Sequence, residues 1–110
     1  MSRIGKQPIA IPPKVKVEVK GQKVLTIEGL APSGLLHLLQ KAFLAQNALQ
    51  CGFCTPGMIL NAMSLLMENP EASEKEIIEG MNDNLCRCGA HLRIVRAIQQ
   101  AAREMAGRKT

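Results

Sequence analysis

Hydrophobic residues after residue 33 recur every three to four positions, which is the spacing of amphipathic helices. The first predicted helix runs from Ser33 to about Ala48. Its broad apolar face would consist of Leu35, Leu36, Leu38, Leu39, Ala42 and Phe43. A helix with such a face is expected to pack against a hydrophobic core.

The second predicted helix begins at a clear start signal. Thr55 can cap it, and Pro56 then occupies the first helical position, where its missing N–H costs no hydrogen bond. The helix is expected to continue to about Glu68. Because few of its positions are polar, it is predicted to be buried on most sides as the central core helix, with its methionines in the core.

Two further helices are predicted in the second half of the chain. Ser73 and Glu76 form a capping box, in which each side chain can accept from the other residue's backbone N–H, and this helix should reach about Asn82. The last helix is expected from about Ala90 to Met105. One apolar stripe along it consists of Ile94, Ile98, Ala101 and Met105.

The first 29 residues follow a different pattern. Three prolines and a glycine in residues 2–13 favour an extended arm. Alternating valines in 15–19 and a second β-prone run in 23–27 predict a small hairpin, followed by a break from Gly29 to Gly34. The predicted fold is therefore mostly α, with a basic arm and hairpin in 1–29 and a four-helix domain in 30–110.

The length of the chain indicates a single domain, and its net positive charge is confined to the first 23 residues. The chain has 110 residues, enough for one compact domain with an appendage. Residues 1–23 carry six basic side chains and one acidic side chain, which accounts for the net charge of +5, so the rest of the chain is formally neutral. No apolar run resembles a membrane span or a secretion signal, so we expect a cytoplasmic protein without membrane insertion.

Four cysteines form two close pairs, each just before a predicted helix. The pairs are Cys51 with Cys54 and Cys86 with Cys88, separated by 31 residues. Cytosolic thiols are kept reduced, so these cysteines are expected to bind metal rather than form disulfides. Helix starts also favour the thiolate form, which is the form that binds metal.

The metal is not determined by residue type, because both zinc and iron-sulfur clusters accept four thiolates. Structural zinc sites commonly use two C-x-x-C pairs with a shorter gap, whereas the second pair here is C-x-C. The spacing therefore favours an iron-sulfur cluster. A zinc-stapled helical domain remains the structural alternative. A third alternative is that the cysteines bind no metal and are buried as small hydrophobic residues or form an adventitious disulfide.

Three other residues are weighed as candidates. His91 lies three residues after Cys88 and could replace a cysteine ligand, although a histidine that only packs is the preferred interpretation. His37 is interpreted as a core or boundary residue of the first helix. Arg87, between two cysteines, is expected either to offset the negative charge of a cluster or to be solvated.

Residues 50–58, QCGFCTPGM, and 84–89, NLCRCG, closely resemble the iron-sulfur subunits of the molybdenum hydroxylases, which include xanthine, nicotinate and isoquinoline oxidoreductases. The resemblance extends over about 24–98. It implies a four-helix domain in which Cys51, Cys54, Cys86 and Cys88 hold the [2Fe-2S] cluster nearest the molybdopterin. It also implies that Gln50 and Cys88 lie against the pterin.

The resemblance implies an electron-transfer subunit of an oxidoreductase. The expected partners are a molybdopterin-binding large subunit, which would donate single electrons, and a flavin or cytochrome subunit as acceptor. We identify no substrate site on this chain. Subunits of this family begin with a ferredoxin domain that carries a second cluster, and this sequence has no such domain.

In the place of that domain, residues 1–9, 15–19 and 21–24 resemble the start of bacterial large-subunit ribosomal protein six. The two resemblances meet near residues 23–26, so we interpret the chain as a chimeric sequence. The basic arm offers a third functional alternative, a ribosome- or RNA-associated fragment. Nucleic-acid binding is not expected, because the arm matches only the start of that ribosomal protein.

Overall fold

The computed structural model describes residues 26–31 and 34–107. These residues form a short 3-10 helix, Ile27–Leu30, followed by α1 (Leu38–Ala45), α2 (Thr55–Glu68), α3 (Glu74–Gly80) and α4 (His91–Gly107). No β-strand occurs within the described residues. The predicted four-helix, mostly α fold is confirmed. The predicted arm and most of the hairpin lie outside the described residues, so the division into 1–29 and 30–110 stays a prediction.

The short 3-10 helix corrects the predicted end of the hairpin. Ile27 was expected in a β-prone run, but the chain turns at this point because the Gly29 N–H donates a hydrogen bond to the Thr26 carbonyl oxygen at 3.0 Å. Hydrogen bonds from the backbone and from the Thr26 side chain also lower the pKa of the Glu28 carboxyl. At Ile27, local hydrogen bonds of the turn therefore form in place of the predicted strand.

Helix α1 begins later than predicted because His37 caps it. The Leu39 N–H donates to His37 Nδ1 at 3.2 Å, and the His37 N–H donates to Gln40 Oε1 at 2.8 Å, so both members of a capping box are present. Leu35 and Leu36 therefore precede the helix, and they are 74% and 45% exposed. The prediction that they belong to its buried face was wrong, and His37 caps the helix rather than lying within it.

Helix α2 ends at Glu68 as predicted, but its start and its surroundings differ from the prediction. Its N-cap is Cys54, Thr55 is the first helical residue, and no side chain makes a capping hydrogen bond. Its buried residues form one stripe, Met58, Ile59, Ala62 and Leu66. Met67 is 67% exposed. The expectation of burial on most sides was wrong, because only that stripe is fully buried and Met63 and Leu65 are partly buried at its edges.

Helix α3 forms as its capping box predicts and ends at Gly80 rather than Asn82. The Ser73 N–H donates to Glu76 Oε2 at 2.7 Å, and the Glu76 N–H donates to Ser73 Oγ at 3.4 Å. The side-chain amide of Asn61 on α2 donates to the Gly80 carbonyl oxygen at 3.0 Å. This hydrogen bond fixes the end of α3 against α2.

Helix α4 contacts the other three helices, most extensively α1. The predicted apolar stripe is confirmed, with Ile94, Ile98 and Ala101 buried and Met105 packed at its edge. The side-chain amide of Gln46, just after α1, donates to Gln100 Oε1 at 2.8 Å.

One hydrophobic core joins all four helices and both predicted cysteine loops. Its largest fully buried side chains are Phe43, Leu39, Met58, Leu66, Ile77, Ile94 and Ile98. Cys86 and Ala90 belong to the same cluster, so the second loop is anchored in the core. No helix in the described part of the chain is long and apolar enough to cross a membrane.

Candidate metal centre

The two cysteine loops enter helices directly. The loop 51–54 leads into α2, and the loop 86–90 leads into α4. All four predicted ligands are free thiols, with Cys51 exposed, Cys54 and Cys88 half-buried and Cys86 buried. The site therefore opens to solvent at one side and is rooted in the core at the other.

Each loop contains a glycine with a left-handed backbone conformation. Gly52 has a φ of 80° and Gly89 a φ of 74°, which other residues adopt only with strain. The Thr55 N–H donates to the Gly52 carbonyl oxygen at 3.3 Å, and the Gly89 N–H donates to the Cys86 carbonyl oxygen at 3.2 Å. Both loops therefore turn sharply just before their helices, the first over residues 52–55 and the second over residues 86–89.

The thiols meet two by two across the loops. Cys51 and Cys88 form one hydrogen-bonded pair, and Cys54 and Cys86 form the other. Within the described residues, no group of three or more His, Cys, Asp and Glu side chains is arranged to hold a single metal ion. Each pair takes one cysteine from the loop before α2 and one from the loop before α4.

Backbone N–H groups favour the thiolate form at two of the cysteines. The Phe53 N–H donates to the Cys51 sulfur and lowers the pKa of that thiol, and the Cys88 thiol donates a second hydrogen bond. The Ala90 N–H, 3.4 Å from the Cys86 sulfur, likewise lowers the pKa of Cys86. These N–H groups lie in tight turns at helix starts, where they have no helical partner.

The pKa of the Cys54 thiol shifts in the opposite direction. Burial raises the pKa of its thiol, and the hydrogen bond between Cys54 and Cys86 raises it further. The Cys54 thiol therefore acts as the donor and the Cys86 sulfur as the acceptor. Metal binding would have to displace this proton, because the thiolate is the ligand.

Gln50 joins the two loops. Its side-chain Nε2 donates a hydrogen bond to the Cys88 carbonyl oxygen at 3.4 Å. The two residues that the resemblance assigns to the pterin contact thus lie side by side, although 38 positions separate them in the chain. Both are accessible, since Gln50 is exposed and Cys88 is half-buried.

A cavity of about 500 Å³ opens beside the thiols. Cys51, Cys54 and Arg87 line it together with apolar side chains. Phe53 is 94% exposed and Leu85 is 79% exposed at its rim. Sequence reasoning did not single out these two side chains, although each stands next to a cysteine in a loop, where an apolar residue is unexpected. Arg87 is exposed and able to face a bound anionic group.

His91 and Thr55 both lie in the first turn of a helix. His91 is the first residue of α4, at a helix start as expected, and its side chain is exposed. Thr55, predicted as a cap, has its hydroxyl oxygen buried without a hydrogen-bond partner. Residue type alone does not predict this, because threonine is common both at caps and in first turns.

Residues 26–99 match the family model described as "[2Fe-2S] binding domain". The small FeS subunit of nicotinate dehydrogenase from Eubacterium barkeri is 46% identical over 83 residues, which cover 76% of this chain and 53% of that protein. The alpha subunit of isoquinoline 1-oxidoreductase from Brevundimonas diminuta is 48% identical over 88 residues, which cover 80% of this chain and 57% of that protein.

A solved structure is also similar. The crystal structure of quinoline 2-oxidoreductase from Pseudomonas putida 86 matches with a TM-score of 0.69 and 48% identity, over 76% of this chain and 52% of that one. This chain spans about half the length of the relatives it matches. The family model covers well over half of the chain, and it includes both cysteine loops. This chain therefore belongs to the family of [2Fe-2S] binding domains.

Proposed function

We propose that this chain is the electron-transfer module of a molybdenum hydroxylase-type oxidoreductase. Cys51, Cys54, Cys86 and Cys88 would hold one [2Fe-2S] cluster, which takes up and releases one electron at a time. The observation that carries the proposal is the meeting of the two cysteine loops, which lie inside the part of the chain that matches the [2Fe-2S] family. Names of similar proteins, such as "small FeS subunit", support the same role.

The residues at the site fit a [2Fe-2S] cluster. Such a cluster takes four thiolates, two on each iron. The pairing of Cys51 with Cys88 and of Cys54 with Cys86 supports an arrangement of ligands two by two. The N–H groups of Phe53 and Ala90 stabilise negative charge on the sulfurs, as hydrogen bonds in an outer shell do at iron-sulfur sites.

Gln50 and Cys88 are proposed as the side facing the electron donor. In this assignment Gln50 orients the Cys88 backbone through the 3.4 Å hydrogen bond, and both present accessible surface to a molybdopterin on a partner subunit. The exposed Phe53 and Leu85 next to the same loops would be covered by that partner.

The partner is inferred to be a molybdopterin-binding large subunit, because similar proteins are named as subunits of a dehydrogenase and of an oxidoreductase, the first of them as a small FeS subunit. The substrate chemistry is assigned to that subunit. A flavin or cytochrome subunit is proposed as the acceptor. We infer a cytoplasmic location, where the four thiols stay reduced until the cluster is assembled.

A reductive titration tests the proposed function against the zinc alternative. After anaerobic reconstitution with iron and sulfide, the full chain should take up one electron per molecule from dithionite, with partial bleaching of its visible absorbance. A zinc-stapled domain would take up none and would be colourless throughout. Uptake of no electron by a protein saturated with iron and sulfide would also overturn the proposal.

A further inference from the structure

One flank of α2 is apolar and only partly covered by the described residues. Helix α3 lies against the opposite flank, where the Asn61 amide donates to the Gly80 carbonyl oxygen. The apolar flank carries Leu60, Met63 and Met67, which we call the outer face of α2 and which recur at helical spacing. A cavity of about 280 Å³ lies along these three side chains. Met67 is 67% exposed, so this face can still bury apolar surface against another segment.

The apolar surface continues beyond the end of α2. Met67 also lines a second cavity of about 680 Å³, which reaches across to Met105 on α4. The charged side chain in that cavity is Glu71, and Glu68 is exposed at the end of α2. No basic side chain of the described residues lines either cavity. A segment that fits this surface is therefore apolar on one side and positively charged.

Residues 15–25, which lie outside the described part of the chain, have this chemistry. Val15, Val17 and Val19 alternate with charged residues, and in a β-strand alternate side chains point to opposite faces. Residues 14–25 contain four lysines and one glutamate. A two-stranded hairpin is at best marginally stable alone and needs an apolar surface to pack against. The outer face of α2 offers such a surface.

The place where this segment joins the described fold suits the same face. Residue 25 is followed directly by Thr26 and the 3-10 helix Ile27–Leu30, which contacts α2 and packs at the edge of the core. Helix α2 has 14 residues and is about 21 Å long, and a strand of five residues spans about 17 Å. The effective concentration of a tethered segment is on the order of millimolar, which favours it over a second copy of the chain.

We propose that residues 15–25 dock on the outer face of α2, with their valines toward the face and their lysines near Glu68 and Glu71. The docked segment shields an apolar surface that would otherwise favour association between molecules. The inference is independent of the proposed function, because the outer face contains no residue of the cysteine loops.

Amide hydrogen exchange of residues 15–25, measured by mass spectrometry on the full chain, tests the docking. These amides should be protected in the wild type. Val17→Gln changes the apolar side of the segment and should raise their exchange rate about tenfold, because the burial of one valine is lost. Lys16→Gln is the matched control on the other side of the segment. It should change the rate little, since surface ion pairs contribute little.

A second pair of variants tests the receiving surface. Met67→Gln should also speed the exchange of residues 15–25, and the domain should stay folded because Met67 is largely exposed. Ile78→Gln replaces an apolar side chain on α3 that is 45% exposed, and it should leave the exchange unchanged. The two variants thus distinguish the outer face of α2 from another exposed apolar site.

Three results would overturn the inference. Fast exchange of residues 15–25 in the wild type shows that the segment does not dock. Protection that Met67→Gln leaves unchanged shows that it does not depend on the outer face of α2. Protection that appears only in a dimer, detected by size-exclusion chromatography at several protein concentrations, assigns the face to a second copy instead.

Discussion

The side-chain amide of Gln50 donates a hydrogen bond to the backbone carbonyl oxygen of Cys88 at 3.4 Å. Gln50 immediately precedes Cys51, so the bond ties the loop before α2 to the loop before α4. The loops are also held by the packing of Met58 and Ile94 in one core. The packing of the helices thus brings the two cysteine loops together.

Replacing Gln50 with Leu should loosen the junction of the loops without preventing cluster assembly. The variant should contain wild-type amounts of iron and lose its cluster to a chelator about fivefold faster, because one hydrogen bond contributes about 1 kcal/mol. The measurement is the decay of visible absorbance after addition of the chelator. Gln99→Leu is the control, since Gln99 donates a comparable exposed hydrogen bond to Glu74 at 3.2 Å. Equal rates in Gln50→Leu and Gln99→Leu would refute this role.

Gly52→Ala should destabilise the loaded protein by about 1–2 kcal/mol, because alanine is strained at the φ of 80° that this loop requires. Apart from its chain neighbours, no protein atom lies within 4 Å of a Cβ added at Gly52, so backbone strain is the expected cause. Gly57→Ala is the matched control: it also has open space, but it lies in α2, where alanine stabilises by up to about 1 kcal/mol. Urea unfolding followed by circular dichroism should separate the two variants in opposite directions, and equal stability would contradict this explanation.

Ser73→Ala should cost about 1 kcal/mol, since it removes the cap of α3. Ser64→Ala, on the exposed side of α2, is the control and should have little effect. Urea unfolding midpoints at neutral pH measure both changes. A Ser73→Ala protein with the wild-type midpoint would show that the capping box does not stabilise the fold.

The same capping box predicts a dependence on acid. Hydrogen bonds from the Ser73 hydroxyl and backbone N–H lower the pKa of Glu76 below its ordinary value of 4.5. A carboxyl with a lowered pKa in the folded state stabilises the fold above its unfolded pKa, and that contribution disappears as the pH falls through the folded pKa. The stability difference between wild type and Ser73→Ala should therefore narrow below pH 4.5. A difference that stays constant down to the lowest pH at which both fold would contradict this linkage.

Arg87→Gln should lower the reduction potential of the cluster. The Arg87 side chain lines the cavity beside Cys51 and Cys54, so its positive charge favours the reduced, more negative state. Because Arg87 is exposed, the effect should shrink at high salt. Voltammetry at two ionic strengths measures the potential, with Arg103→Gln on the far part of α4 as the control. An unchanged potential at low salt would show that Arg87 is only solvated.

The sequence predicted the helices best where the signal is local. Ser73 and Glu76 form their capping box within four residues, so the start of α3 could be predicted from residue types alone. The start of α1 could not, because histidine is an uncommon cap and Leu35 and Leu36 continue the apolar spacing beyond the real helix. The one-sided burial of α2 depends on where its neighbours pack, which spacing alone does not determine.

At the candidate site, the spacing of the cysteines was enough to predict a metal site of four thiols. The pairing of Cys51 with Cys88 was not predictable from it, because it depends on how the starts of α2 and α4 pack together. The Thr55 hydroxyl was predicted to cap α2, but it makes no capping hydrogen bond. Threonine is common both at caps and in first turns, so its residue type does not distinguish the two positions. Hydrogen-bond partners in the fold distinguish these roles, and residue types do not.

Anaerobic reconstitution with iron and sulfide, in competition with zinc, tests the central claim most directly. The wild-type chain should bind two iron and two acid-labile sulfide ions, absorb visible light and give the paramagnetic signal of a reduced [2Fe-2S] cluster after one-electron reduction. Cys51→Ser and Cys88→Ser should each abolish this signal. A colourless protein that binds one zinc ion and keeps its fold would contradict the account.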